Sequence, residues 1–317
     1  MKRHIWTLLY SLLLTAFTVF IALDTFVLRS DYQSAAEMNT AVFDRLATPV
    51  PSAAPTPGPT PTPEPSPTPE EDPVPLGFTE NTYRDENIRV VLTEQIVENT
   101  HVYIADVEIS SAEYLKTAFA RDTYGKNVTE KTSVIAQEHN AILAVNGDYY
   151  GAQESGVVIR NGVVYRKKVK KQDILCVWAD GTMEVLDGYT NRADDLSARG
   201  AWQVFCFGPG LVVDGELAVT ARSEVRNSMA SNPRTAIGMV EPGHYLFVVS
   251  DGRTDESEGL SLYELAQLMR SMGAVTAYNL DGGGSSSMVF NGQVINKPTS
   301  YGTKVRERGV SDIVYIG

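Results

Sequence analysis

Three apolar runs in this chain end on the same kind of polar group. Ala141–Val145 leads into Asn146-Gly147-Asp148-Tyr149-Tyr150, Tyr245–Val249 into Ser250-Asp251-Gly252-Arg253, and Ala274–Tyr278 into Asn279-Leu280-Asp281-Gly282-Gly283-Gly284-Ser285. Residues i and i+2 of an extended chain share one side. Strands that persist this far therefore pair Asn146 with Asp148, and Asn279 with Asp281, as amide–carboxylate couples. Carboxylates at strand ends, beside glycines that admit a ligand to the backbone, suit a binding or catalytic site. Asp-Gly also closes strands simply because it turns well, and both readings stay open for Asp251. Three glycines after Asp281 exceed what a turn needs. Asn232-Pro233-Arg234-Thr235 adds an arginine, the natural bidentate partner of phosphate or carboxylate, although an isolated arginine at a strand start is commonly a surface ion pair. Phe207-Gly208-Pro209-Gly210 is a further tight turn.

Other chemistries fit poorly. Ser285–Ser287 do not lie in Gly-x-Ser-x-Gly, and none of His4, His101, His139 and His244 falls in these motifs, which argues against serine and zinc hydrolysis. No Gly-Lys-Ser/Thr follows the glycines, so a Walker-type nucleotide site is absent. No cofactor is required by this residue set, although the Asn/Asp pairs also offer oxygen ligands of the kind Ca²⁺ or Mg²⁺ takes.

The elements that must position these residues read mainly as strands. Ile88–Leu92 and His101–Ile109 alternate apolar and polar residues, and Asn161-Gly162, Asp180-Gly181, Asp214-Gly215 and Asn291-Gly292 each divide two apolar runs as hairpin turns do. A capping box at Ser261–Glu264, apolar residues at helical spacing and a stop at Gly273 predict one clear helix. Residues 111–120 and 131–139 are shorter helical candidates. The expected fold is α+β: a single ectodomain over 76–317 with a mixed, largely antiparallel sheet and a few helices.

Taken together, Asn146-Gly-Asp148, Gly208-Pro209, Asn232-Pro-Arg234-Thr235, Asp251-Gly-Arg253 and Asn279-Leu-Asp281-Gly-Gly-Gly-Ser285 resemble the phosphodiester glycosidase family, from about residue 100 onward. The resemblance implies cleavage between an anomeric carbon and a phosphodiester oxygen. Ordinary glycosidases protonate a poor leaving group with one carboxylic acid and use a second carboxylate as base or nucleophile. A phosphodiester leaves as a stable anion, so the general acid becomes largely dispensable. On this basis Asp281 is assigned as nucleophile or general base, Asp148 as the group that orients a sugar hydroxyl or activates water, and Arg234 as the phosphate clamp. The N–H groups of Gly282, Gly283, Gly284 and Ser285 form the expected anion cradle. Asn146, Thr235, Asp251, Arg253 and Asn279 complete the expected substrate-binding set. Alternatives are a phosphodiesterase that cleaves at phosphorus and a non-enzymatic module that binds phosphate-rich surface polymers.

The N-terminal quarter is of another kind. Lys2 and Arg3 precede Ile5–Leu23, which carries no charge, and nothing after it resembles a cleavage site. Residues 1–30 are therefore expected to be a signal-anchor transmembrane helix, with the lipid bilayer as partner and the ectodomain outside the plasma membrane. Twelve of the 16 prolines lie between Pro49 and Pro75, and 31–75 reads as an extended, disordered stalk. The formal charge of −12 eases only to −8 beyond Pro75, once the four basic and eight acidic residues before it are set aside. That balance excludes nucleic acid as a general partner. A phosphate-linked carbohydrate then needs local cations. The densest run, Arg166–Lys171, reads either as a solvated hairpin face or as a polyanion-binding strip. Cys176 and Cys206 match no zinc or redox spacing; a disulfide and two buried thiols are both open readings.

Overall fold

The computed structural model describes residues 2–26, 32–44, 75–223, 231–300 and 304–317. Most of the expected stalk thus lies outside the described residues. Three antiparallel sheets share one apolar core. The largest has nine strands, in the order Glu216–Leu217, Gly210–Val213, Thr276–Asn279, Arg234–Glu241, His244–Ser250, Thr100–Ile109, Ile88–Val97, Thr82–Arg84 and Gly77–Phe78. A second, five-stranded sheet inserts Asp312–Ile316 between Leu115–Phe119 and Leu143–Asn146. The third is built of hairpins around Ala201–Phe205, with Asp173–Trp178 on one side and Val158–Arg160 on the other.

Strand alternation explains why each sheet is buried twice. Tyr245, Phe247 and Val249 enter the shared core, whereas Leu246 and Val248 point to the opposite face, under Leu262, Leu265 and Met269 of the helix Leu262–Ser271. Leu143, Val145 and Val314 likewise face the shared core. Ala144, Ile313 and Tyr315 face away and are covered by Ile135 and Ala136 of the helix Thr132–Glu138. In the third sheet Leu175 and Val177 point in, while Ile174 and Cys176 point out against Leu196 of the helix Ala193–Ala198. One helix therefore covers the outer face of each sheet.

The four Asn-Gly and Asp-Gly turns lie where expected, and the capping box forms, with Ser261 and Glu264 each accepting the other's backbone N–H. Every strand pairing among the described residues is antiparallel, so the expected mixed component is missing: hairpins join the strands, and no crossover returns a strand in parallel. Residues 111–120 are not helical beyond one short turn at Ala112–Tyr114. Leu115–Phe119 is a strand because Asp312–Ile316 supplies its ladder, and that pairing outweighs local helix preference. Cys176 and Cys206 are buried free thiols.

Two N-terminal expectations change. The transmembrane helix is not supported. Lys2–Phe26 is helical, but among the described residues no helix is long and apolar enough to cross a membrane. Its described side chains span Ile5–Ile21, about 25 Å of rise against a hydrocarbon core of roughly 30 Å. Residues 32–44, expected as disordered stalk, instead lie on the ectodomain as a strap. Gln33–Ser34 pairs with Thr123–Tyr124, the Asn39 N–H donates to the Asn161 carbonyl at 2.9 Å, Val42 is buried, and the Phe43 ring meets Trp202 edge-on at 4.9 Å.

The sheets are welded at a buried ionic cluster. Arg160, at the end of a strand in the third sheet, donates from Nε to Asp312 (2.8 Å) and from Nη2 to Asp148 (2.8 Å), and all three side chains are essentially without exposure. Its remaining terminus reaches the carbonyls of Ile159 and Val204. Two carboxylates facing one guanidinium away from water favour keeping one proton. Burial, reinforced by the Asp148 charge and only partly offset by Arg160, pushes Asp312 up to about 7.

Two outcomes follow. Asp312 holds its proton more tightly in the fold (about 7) than at its ordinary value of 3.8, so its contribution to stability is full below 3.8 and is lost as pH rises through about 7. Thermal melting should show Tm falling across neutral pH, and Asp312→Asn should flatten that fall; an unchanged slope would refute the assignment. Phe43→Ala should weaken docking of the strap by about 2 kcal/mol. Proteolysis within 32–44 should then accelerate roughly tenfold while the main melting transition moves little.

Candidate active site

The expected residues divide into a framework and an accessible centre. The strand Leu143–Asn146 stops at Asn146, and Thr276–Asn279 stops at Asn279, so the i, i+2 alternation does not carry on to Asp148 or Asp281. Each amide and its neighbouring carboxylate consequently engage different partners. Asn146 donates to the Asp281 carbonyl (2.6 Å) and accepts from the Thr235 hydroxyl (2.8 Å) and the Ser287 N–H (3.3 Å). The Asp281 N–H reaches the Gly147 carbonyl at 3.2 Å. Asn146 and Thr235 thus bind the ends of two sheets together. Gly147 has no room for a side chain, since a Cβ there would lie 2.1 Å from Asp312 Oδ1.

Asp148 is where the sequence assignment fails. Its side chain has 0% exposure, and its oxygens accept from Arg160 Nη2, the Tyr150 N–H (3.1 Å) and the Cys206 N–H (2.7 Å). A carboxylate so enclosed orients backbone and cannot meet a sugar hydroxyl. Asp251 is similarly committed: it accepts from Asn296 Nδ2 (3.1 Å) and the Lys297 N–H (2.9 Å), and burial raises its pKa. Asn279 donates to the Gly208 carbonyl at 2.8 Å, on the turn whose Gly208–Pro209 bond is cis.

Asp281 is different. Its side chain keeps 11% exposure, and Oδ2 accepts from Arg308 Nη2 at 3.0 Å while Oδ1 accepts from the Gly282 N–H at 3.0 Å. Burial raises its pKa, and Arg308, Ser285 and the Gly282 N–H pull part of that back. Arg308 also donates to the Ser285 hydroxyl (2.6 and 3.0 Å), lies over the Tyr149 ring, and keeps 42% exposure. The glycine turn does not present the expected cradle: the Gly282 N–H is taken by Asp281, Gly283 by the Pro233 carbonyl and Ser285 by the Gly282 carbonyl. The glycines serve close packing instead. A Cβ on Gly282 would lie 2.8 Å from the Pro233 carbonyl oxygen, and Gly284 packs against Thr299 and Ser300.

Cations surround this turn. Arg253 reaches Asn232 Oδ1 at 3.0 Å, and its guanidinium comes within 3.0 Å of where a Gly283 side chain would start. Arg234 is buried and donates from Nε to the Leu260 carbonyl at 2.9 Å. Burial and then the neighbouring Arg253 charge lower its pKa to about 10, against a smaller opposing pull from Glu264. Two guanidinium groups that disfavour one another suit an anion that both can reach. Tyr149 (φ 62°) and Arg253 (φ 64°) also hold the left-handed backbone region, a strained state that persists only where its surroundings enforce it.

Arg308 and Tyr149 escaped the assignment from sequence. Arg308 sits in no motif, and its only signal was an arginine-rich stretch near Arg306. The Asn/Asp pairs do not converge as cation ligands, because Asp148 and Asp281 each face a guanidinium. A group elsewhere whose ligand atoms lie within 4.8 Å of each other, Asp106, Glu108 and His244, has Arg89 against both acids.

Comparison with known proteins agrees with this geometry. The phosphodiester glycosidase family matches residues 139–317. A prophage-derived uncharacterized protein of Bacillus subtilis is 29% identical over 179 residues, 55% of this chain and 28% of that one. The mouse N-acetylglucosamine-1-phosphodiester alpha-N-acetylglucosaminidase is 41% identical over 68 residues, 22% of this chain and 13% of the enzyme. The chain thus spans less than a third of the length of these relatives. The zebrafish catalytic domain of the same enzyme name, auto-inhibited by its pro-peptide, shares the fold with a TM-score of 0.56 at 21% identity, covering 72% of this chain and 82% of that one. A hypothetical protein from Synechocystis gives 0.56 at 16% identity, over 74% and 63%. Motifs, fold and match over more than half its length agree: the chain belongs to the phosphodiester glycosidase family.

Proposed function

We propose that this chain hydrolyses the glycosyl C1–O bond of a sugar-1-phosphodiester in an envelope or extracellular glycan. The observation that carries the reading is a half-shielded carboxylate, Asp281, held between a glycine turn and the exposed guanidinium of Arg308, with Arg253 and Arg234 beside the same turn. Family membership supports a hydrolase acting on phosphodiester-linked sugars.

In this mechanism the carboxylate of Asp281 attacks C1, or takes a proton from the water that does. The C1–O bond breaks, and its electron pair leaves on the phosphate oxygen. The departing group is a phosphate monoester anion, which needs no proton to leave. Arg308 keeps Asp281 ionised at rest through their ion pair, and with Arg253 and Arg234 it offsets the charge that gathers on phosphate. Asp148 acts at a distance, by holding Arg160 and the backbone at Tyr150 and Cys206. The exposed apolar side chains of Trp6, Leu8, Leu12 and Phe17 support contact of the N-terminal helix with lipid, and an extracellular place for the domain is part of the same proposal.

On a competent sugar-1-phosphodiester, Asp281→Asn should lower kcat by about a thousandfold while leaving the fold intact. Retention of full kcat would remove Asp281 from the chemistry. Arg308→Met withdraws the positive charge that lowers the Asp281 pKa, so the acid limb of the pH–rate profile should move to higher pH as KM rises. Hydrolysis in ¹⁸O-water should label the sugar; label in the phosphate would instead establish cleavage at phosphorus. Binding of a phosphate polymer without turnover, indifferent to Asp281→Asn, would favour a surface binding module.

A further inference from the structure

A cavity of about 800 Å³ opens beside this centre and has no part in the chemistry above. Its walls tie it to the site from two sides. Gly208 forms part of the lining, and its carbonyl receives the amide of Asn279, two residues before Asp281. Leu262 lines the opposite part, two residues after Leu260, whose carbonyl holds Arg234 Nε. The volume is that of a pocket for a whole small ligand, more room than a single phosphate needs.

The charge around it separates the roles within the basic run. Arg166 gives its guanidinium to the carbonyls of Tyr150, Gln153 and Gly156, so it is structural. Lys167 is paired with Asp194 on the surface. Lys170 and Lys171 line the cavity. Lys170 donates to the neutral Gln153 amide at 2.5 Å, and among the described residues neither lysine has a carboxylate within ion-pair distance. Asp173, the acid in the same lining, accepts from the Gly210 N–H at 3.1 Å. On a domain with an acidic balance, two lysines without acidic partners beside a roomy cavity mark a preference for negative charge at this point.

We propose that this cavity is the leaving-group subsite and that it selects substrates whose aglycone is itself a polyanion, a chain carrying further phosphates beyond the scissile one. The proposal rests on the glycosidase reading and names its substrate class: the arginines at Asp281 meet the reacting phosphate, and Lys170 and Lys171 meet a later one.

The test compares two sugar-1-phosphodiesters on the full chain, one with an uncharged methyl aglycone and one with an oligo(glycerol phosphate) aglycone. For the oligomer, the double variant Lys170→Gln/Lys171→Gln should raise KM roughly fivefold to tenfold, weaken its salt dependence and leave kcat unchanged. The methyl ester should be unaffected. Equal KM changes on both substrates, or none on either, would overturn the subsite. Binding of inorganic polyphosphate, followed by calorimetry at two salt concentrations, gives a readout independent of turnover. Lysine-dependent polyphosphate binding without hydrolysis of either ester would refute the glycosidase reading yet uphold the anion subsite. Hydrolysis with polyphosphate binding indifferent to the lysines would refute the subsite alone.

Discussion

A guanidinium with no water around it has to find all its partners in the protein, and in this fold that requirement is concentrated at Arg160. Its two carboxylates come from far apart in the chain, Asp148 just after one strand and Asp312 at the start of another, 152 residues away from Arg160 itself. Removing one partner would leave an uncompensated buried charge, which is far costlier than the pair is stabilising. The cluster therefore fixes how the hairpin sheet meets the sheet that carries Asn146. Through Gly147 and Asn146 it also fixes where Asp281 can stand. The centre borrows its precision from a charge that never meets solvent.

This arrangement separates two jobs that look alike in sequence. Asp148 and Asp281 both follow a strand, both lie two residues after an asparagine, and both face an arginine. Exposure divides them. Arg160 has none to offer, whereas Arg308 remains open on one side and rests on the Tyr149 ring, so only the Asp281 pair can be approached from outside. The glycines after Asp281 allow that approach by thinning the chain where Pro233 and Arg234 pass behind it, rather than by donating N–H groups.

Much of the frame was legible from local signals. Hairpin turns with Asn-Gly and Asp-Gly, the capping box at Ser261 and the strand alternation around Val248 are written within a few residues, and the fold uses each as local physics predicts. Partners set by tertiary packing left no such trace. Leu115–Phe119 has the composition of a helix and is a strand because of Asp312–Ile316. Asp148 reads as catalytic until Arg160 is found against it, and Arg308 reads as an ordinary loop arginine until Asp281 is found beside it. Apolar patterning also overestimated the N-terminal helix, because hydropathy along the chain does not measure the span that is ordered.

The strand Asp312–Ile316 lies inside its sheet, between neighbours made far earlier in the chain. A polypeptide growing from a ribosome would hold Leu115–Phe119 and Leu143–Asn146 apart, with a vacant slot between them, until residues 312–316 emerged. Arg308 arrives on the same late segment. Catalytic competence would then appear in one step at the close of synthesis, and any nascent chain halted before that point would carry Arg160 with only one of its two counter-ions, a natural mark of incompleteness for the machinery that disposes of unfinished protein.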